Sequence, residues 1–264
     1  MYFKNKVVWI TGASSGIGEA LTYEFARQGA KLIISSNQTE ELEKVKANSE
    51  SLGAECFIQF LDMMEIDKMQ GITISLIDRF GNIDVLVNNA GISQRSLVVE
   101  TPLELDRKIM EIDYFGTIAL TKAVLPYMIK NGGGYIAATS SISGKFGFPL
   151  RSAYSAAKHA LHGFFETLRA EVYEYNIKVL IAFPGRIKTN ISLHALTKDG
   201  LPHGKMDDGL NAGIPVEKCA KQYVNAIRKD KKEVLIGASE LLMVYIHKFL
   251  PGLFYKLARK IKPT

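Results

Sequence analysis

The chain has only two cysteines, Cys56 and Cys219, in 264 residues. Two distant thiols make neither a disulfide framework nor a metal-ligand spacing. The histidines (His159, His162, His194, His203 and His247) add no metal motif. His159 and His162 are three apart on one predicted helix, but no third ligand is evident nearby. They read as packing or surface residues, and no metal is expected. No uninterrupted apolar run approaches the roughly 18 residues of a membrane-spanning helix. Residues 1–6 pass straight into Val7-Val8-Trp9-Ile10. The charged head, long apolar stretch and small-residue cleavage site of a secretory leader are missing, so the cytoplasm is the expected location. There is no solenoid repeat and no low-complexity segment.

What is present suits one α/β body, since 47% hydrophobic and 23% charged residues allow a substantial core. The net charge is +6, and Lys248, Lys256, Arg259, Lys260 and Lys262 supply five of those charges from a stretch, 241–264, that contains no acid. The rest of the chain is nearly neutral, which argues against a nucleic-acid-binding surface.

Apolar runs of strand length alternate with longer segments of helical period. Strands are expected at 7–11, 31–35, 56–61, 84–87, 135–139 and 177–183, and helices at 16–28, 40–51, 66–80, 103–130 and 152–175. Repeated β-α-β units with nearly continuous apolar strands imply an α/β fold, a doubly wound parallel sheet with helices on both faces. It forms a single domain, 1–238, followed by an amphipathic helical tail, 239–264. In such sheets the ligand crevice lies beyond the carboxyl ends of the strands. Four polar or Gly-rich junctions share that rim: the run from Thr11 to Gly18, Asn88-Asn89-Ala90-Gly91, Ser140-Ser141 and Pro184-Gly185. The irregular stretch 186–214 has the length of a lid or binding loop.

Gly12, Gly16 and Gly18 are spaced G-x-x-x-G-x-G between a strand and a helix. Glycines there permit a tight turn and let a pyrophosphate approach the backbone. The helix N-terminus then supplies amide donors and a favourable dipole. Tyr154 and Lys158 lie four apart on one helix and share a face. A phenol is a poor acid–base group near neutrality without a neighbouring cation, and Lys158 is such a cation. Ser141, at a strand end, adds a hydroxyl that could hold a substrate oxygen. The Tyr–Lys spacing alone decides little, because Tyr2 and Lys6 repeat it away from the rim. Asn88 to Gly91 present small and amide side chains, suited to lining an adenosine pocket and bracing the central strands. Asp62 ends a strand, where it serves as an acceptor for an adenine amino group or as an N-cap for the next helix. Together these residues suggest hydride transfer to or from a carbonyl carbon, with a tyrosine handling the proton.

In this order and spacing, Thr11-Gly12-x-x-x-Gly16-Ile17-Gly18, Asn88-Asn89-Ala90-Gly91, Ser141, Tyr154-x-x-x-Lys158 and Pro184-Gly185 resemble the short-chain dehydrogenase/reductases. The likeness runs from about Lys6 to Thr189. Gly91-Ile92-Ser93-Gln94-Arg95-Ser96 and the basic apolar tail resemble the 11β-hydroxysteroid-dehydrogenase-like branch, with its dehydrogenase/reductase member 7 relatives. The resemblance implies a Rossmann fold and an NAD(P)(H)-dependent oxidoreductase interconverting a secondary alcohol and a ketone. Tyr154 would be the general acid/base. Lys158 would tune it and hydrogen-bond the nicotinamide ribose, and Ser141 would position the substrate oxygen. Cofactor contacts would come from Gly12, Ser14, Ser15, Gly16, Ile17, Gly18, Asn37, Asp62, Asn89, Ala90, Gly91, Pro184 and Gly185. Ile187 and Thr189 would meet the carboxamide. Relatives are usually dimers or tetramers, so a homodimer or homotetramer is expected. Two other readings are a 3-oxoacyl thioester reductase and a non-catalytic dinucleotide-binding regulator. A regulator need not keep Ser141, Tyr154 and Lys158 together.

Two departures stand out. Where the family usually has an asparagine that anchors a water, this chain has Asp113. A carboxylate keeps the shape, loses the amide donor and would stabilise Lys158. After the second strand come Ser35-Ser36-Asn37-Gln38, with neither the acid that favours NAD nor the arginine that favours NADP. Relatives carrying arginine at the position of Asn37 mostly use NADP, so NADP(H) is favoured, with NAD(H) as the alternative. In the tail, Leu242, Ile246, Phe249, Leu250, Leu253, Phe254, Leu257 and Ile261 make an apolar stripe that Pro251 interrupts, itself placed to open a second helix. An apolar stripe with a basic face suits a membrane interface, and equally a helix packed on the sheet or a sister subunit. The substrate is expected to be a small lipophilic carbonyl or alcohol.

Overall fold

Apolar strands from the whole length of the chain meet in one sheet. In the computed structural model, which describes residues 1–260, seven strands lie in the order β3-β2-β1-β4-β5-β6-β7. They are β1 (Val7–Thr11), β2 (Lys31–Ser36), β3 (Cys56–Phe60), β4 (Val85–Asn88), β5 (Gly134–Thr139), β6 (Ile177–Pro184) and β7 (Glu233–Ile236). Every pairing is parallel. β1 and β4 are buried at every residue, as a sheet covered on both faces requires. The helices are α1 (Gly16–Arg27), α2 (Thr39–Ser51), α3 (Met69–Phe80), α4 (Leu103–Met110), α5 (Gly116–Lys130), α6 (Ser152–Glu171), α7 (Asp208–Asn211), α8 (Val216–Arg228), α9 (Leu242–Phe249) and α10 (Pro251–Ala258).

Alternation along β1 divides the core. Val8 and Ile10 face Phe25 of α1, Leu42 of α2 and Tyr223 of α8. Val7 and Trp9 face Leu76 of α3, Leu120 of α5 and Phe165 of α6. This is the two-residue period of a strand with apolar partners on both sides. The chain crosses from β3 at one edge to β4 on the far side of β1. The winding therefore reverses between β1 and β4, which is where such sheets open a crevice.

The doubly wound fold matches the expectation, with differences in detail. The helix expected at 103–130 is interrupted by a π turn, Glu111–Phe115, between α4 and α5. The helix expected at 152–175 ends at Glu171, and a 3-10 turn, Tyr173–Tyr175, leads to Asn176 in the left-handed region. α8 and β7 were not read from sequence. α8 buries Cys219, Tyr223 and Ile227 while its charged residues face out, and β7 is only Glu233–Ile236. Pro251 does open α10. The tail is split by burial: Phe254 is buried with Ile142 and Phe146, while Leu242, Phe249, Leu250 and Leu253 are exposed. Ile261 and Lys262 lie outside the described residues. Among the described residues, no helix is long and apolar enough to cross a membrane.

Helical glycines separate tight from open packing. A Cβ at Gly116 would collide with the Met63 carbonyl oxygen, whereas one at Gly71 or Gly163 would meet nothing within 4 Å. Gly116→Ala should cost about 1–3 kcal/mol by overpacking. Gly71→Ala and Gly163→Ala should each stabilise by about 0.4–1 kcal/mol by restricting the unfolded chain. Thermal unfolding checks both signs.

Candidate active site

The crevice between β1 and β4 is built from backbone and short polar side chains. Thr11 Oγ1, at the end of β1, accepts the amides of Asn89 at 3.0 Å and Ala90 at 3.1 Å. Asn89 Nδ2 donates back to the Thr11 carbonyl at 3.2 Å, and Asn88 Nδ2 ties β4 to Thr121 of α5 at 3.0 Å. The bracing read from the Asn-Asn-Ala-Gly motif is thus present. Gly12 and Gly16 have φ of 63° and 57°, a region open to glycine at little cost. A Cβ at Gly18 would strike the Gly12 carbonyl and come within 2.7 Å of Asn89 Nδ2. Ser15 makes no side-chain cap on α1, so the first-turn amides remain available to an anion. A tight glycine turn that admits no Cβ at Gly12 or Gly18 without striking neighbouring atoms, beside an uncapped helix start, fits the pyrophosphate of a dinucleotide.

The opposite wall carries the polar trio. Ser141, at the end of β5, accepts the Ser143 amide at 3.1 Å and donates to the Pro184 carbonyl at 3.4 Å. Tyr154 and Lys158 both project from the buried side of α6. Lys158 Nζ lies 3.1 Å from Asp113 Oδ2, donates to the Thr139 carbonyl at 3.3 Å, and sits 5.5 Å from the centre of the Tyr154 ring. Asp113 occupies the middle of the π turn, and its Oδ1 accepts the Ile92 amide at 2.8 Å. The approach of Nζ to Oδ2 is one of charge, off the alignment of a hydrogen bond. A Cβ at Gly91 would come within 3.0 Å of Asp113 Oδ2 and 3.1 Å of Lys158 Nζ, so glycine there makes room for the pair.

Burial pushes the Asp113 carboxyl up from its ordinary value, opposed by the Lys158 charge and the Ile92 amide. Burial also works against the Lys158 ammonium, but Asp113 and Tyr154 outweigh it, and the Lys158 value is raised.

Both walls enclose one cleft of about 310 Å³. Ser141, Tyr154 and Lys158 line it, as do Gly12, Ser14, Ser15, Gly16 and Ile17 of the turn. So do Asn37, Asp62, Asn89, Ala90, Gly91, Pro184, Gly185, Ile187 and Thr189. Gly18 and Asp113 do not: Gly18 packs beneath the turn, and Asp113 is wholly buried behind Lys158. Asp62 is not the N-cap of α3; its Oδ1 accepts the Met64 amide at 2.9 Å. His162 approaches Glu166 and Glu233, where the Lys145 ammonium already sits 3.0 Å from Glu233 and 3.2 Å from His162.

Sequence reasoning missed a charged cluster where the 186–214 loop meets the cleft. Arg95, Arg151 and His194 also line the cleft, and Asp207, from the 186–214 loop, pairs with both arginines. Burial and the neighbouring Arg95 charge lower the Arg151 value. These partners are far apart in the chain, so no local spacing signals them.

Residues 6–199 match the family model described as short chain dehydrogenase. The chain belongs to the short-chain dehydrogenase family. It is 41% identical over 261 residues to the Mus musculus protein Dehydrogenase/reductase SDR family member 7B, spanning 97% of this chain and 81% of that one. A short-chain dehydrogenase/reductase from Burkholderia phymatum, solved in complex with NAD, shares the fold with a TM-score of 0.83 at 21% identity, covering 100% of this chain and 98% of that one. An alcohol dehydrogenase from Thermococcus sibiricus, complexed with 5-hydroxy-NADP, aligns with a TM-score of 0.76 at 25% identity over 89% of this chain and 97% of that one. Membership makes the protein a dinucleotide-binding oxidoreductase with a Rossmann-like sheet.

The raised Lys158 value sets a pH dependence. Below its ordinary value the lysine is charged in both folded and unfolded chains, and the stability from its pairing is fully present. That stability is lost as pH rises through the raised folded value. Asp113→Asn removes the charge that does most to raise the Lys158 value, so loss on the alkaline side should begin at lower pH. The variant should still turn over. Chemical unfolding measured across alkaline pH checks the shift, and complete loss of kcat/KM in the variant contradicts its expected turnover.

Proposed function

We propose that the chain is an NADP(H)-dependent oxidoreductase interconverting a secondary alcohol and a ketone on a small lipophilic substrate. Residues 1–238 form the catalytic body, with 186–214 as its substrate loop, and 239–264 form the tail. The observation that carries this reading is the placing of Ser141, Tyr154 and Lys158 on one wall of the cleft, opposite the glycine turn. The hydride would come from, or pass to, a nicotinamide held in the cleft. In reduction, the Tyr154 hydroxyl gives its proton to the carbonyl oxygen, while the Ser141 hydroxyl hydrogen-bonds the same oxygen and holds it. The bond from Ser141 to the Pro184 carbonyl is long, 3.4 Å, and readily exchanged for one to substrate. Lys158 would stabilise the phenolate left on Tyr154 and hydrogen-bond the nicotinamide ribose, and Asp113 keeps Lys158 charged. The turn from Gly12 to Gly18 would hold the pyrophosphate, Asn89 to Gly91 and Asp62 the adenosine, and Pro184, Gly185, Ile187 and Thr189 the nicotinamide.

The NADP(H) preference is supported by neutral donors at the end of β2. Ser14 Oγ lies 2.9 Å from Ser36 Oγ and donates to Gln38 at 3.2 Å, beside the exposed Asn37. The first-turn acids of α2, Glu40 and Glu41, weigh toward NAD(H). Turnover of 9,10-phenanthrenequinone and of steroid and long-chain ketones with NADPH and NADH decides between them, and NADPH is expected to give the higher kcat/KM. In the same assay Tyr154→Phe should lose about 10²–10⁴-fold, and unchanged ketone reduction in that variant would defeat the reading.

The reading extends to a cytoplasmic protein with peripheral membrane contact, assembled as a homodimer or homotetramer. Exposed Leu242, Tyr245, Phe249, Leu250 and Leu253 lie beside Lys248 and Lys256, which suits an anionic interface. The protein should co-sediment with vesicles of phosphatidylserine and phosphatidylcholine at low salt, and truncation after Glu240 should abolish this. Absence of binding at low salt would remove the membrane from the account.

A further inference from the structure

Gln94, Arg95 and Asp207 meet at the foot of α6 and have no part in the chemistry above. α6 begins at Ser152, and its N-cap residue, Arg151, gives no side-chain cap. The first-turn amide of Ala153 is nevertheless paired, because Gln94 Oε1 accepts it at 2.9 Å. Gln94 is wholly buried. Its Nε2 faces Ser96 Oγ and Thr101 Oγ1, each at 3.0 Å, and Ser152 Oγ at 3.3 Å. A distant segment thus caps the helix at the residue before Tyr154.

The same segment seats the substrate loop. The Arg95 amide donates to the Leu196 carbonyl and the Leu196 amide to the Ser93 carbonyl, both at 2.8 Å. The buried Arg95 guanidinium pairs with the Asp207 carboxylate, which also accepts from Arg151 Nη2 at 2.9 Å. Loop, segment 93–96 and helix start therefore form one connected set of polar contacts.

We infer that Gln94 is a positioning residue for Tyr154, holding the first turn of α6 and linking the place of the phenol to the seating of the 186–214 loop. The inference rests on Tyr154 as the proton donor. A helix start without its cap opens locally, and here the first turn carries the reacting hydroxyl. A misplacement of about 1 Å at such a group can cost on the order of 100-fold in rate.

The test compares Gln94→Leu, which removes the acceptor, with Gln94→Glu, which keeps one in the same place. The probe reaction is NADPH-dependent reduction of 9,10-phenanthrenequinone. Gln94→Leu should lower kcat by about tenfold or more and speed hydrogen exchange of amides 153–158. NADPH affinity, from fluorescence titration, should stay within about twofold of wild type, because the glycine turn is untouched. Gln94→Glu should restore kcat to within about threefold and keep exchange slow. Wild-type kcat or unchanged exchange in Gln94→Leu overturns the inference. If that variant does not fold, a tenfold loss in Gln94→Glu overturns it instead, and near-normal kcat with slow exchange supports it. Tyr154→Phe is run in parallel. If it stays active, the reading beneath fails. If it is inactive while Gln94→Leu has wild-type kcat, only the positioning role fails.

Discussion

Lys158 holds its charge where almost no water reaches it, and the polar wall of the cleft is arranged around that fact. Its side chain is 4% exposed, and the carboxylate beside it, Asp113, is 0% exposed. At 3.1 Å two unit charges attract by about 5 kcal/mol at an effective dielectric of 20. Removing each ion from water costs several kcal/mol. Attraction therefore roughly offsets the desolvation of the two ions, so the stability that titrates with Lys158 is small beside the effect on position. The value of the pair is positional: neither charge can be kept without the other, so both side chains stay together.

Four pieces of chain are shaped by that pair. The π turn brings Asp113 inward, and an inserted residue of this kind is a common device at functional positions. Gly91 leaves the space that the two charged groups occupy. The Ile92 amide satisfies the second carboxylate oxygen, and the Thr139 carbonyl takes a further donor of the lysine. The ends of β4 and β5, the α4–α5 junction and α6 all converge on Lys158. An asparagine at 113 would bring an amide donor but no countercharge.

The fold and the two walls of the cleft were legible because their signals are local. Strand-length apolar runs, glycines at a strand-to-helix turn and two side chains one helical turn apart are all properties of short stretches. Asp113 was legible as a departure within such a stretch, but the π turn that aims it was not, since its sequence continues a helical pattern without a break. β7 was missed because it is a four-residue edge strand beyond a charged run, whereas α8 was open to reading, since Cys219, Tyr223, Val224 and Ile227 recur at helical spacing. The Arg95–Asp207–Arg151 cluster and the cap from Gln94 to Ala153 join residues far apart in sequence, and only folding brings them together. The tail was ambiguous for a different reason. One apolar stripe serves both outcomes, with Phe254 packed beside Phe146 and Phe249 left outside.

The account depends most on Asp113 and Lys158 being an ion pair in the folded protein, rather than a neutral acid beside a neutral amine. Neutron diffraction from deuterated crystals near neutral pH reads this directly. The account predicts a full ammonium on Lys158 Nζ and no deuteron on either Asp113 oxygen. A deuteron on Asp113, or an amine at Lys158, would contradict it.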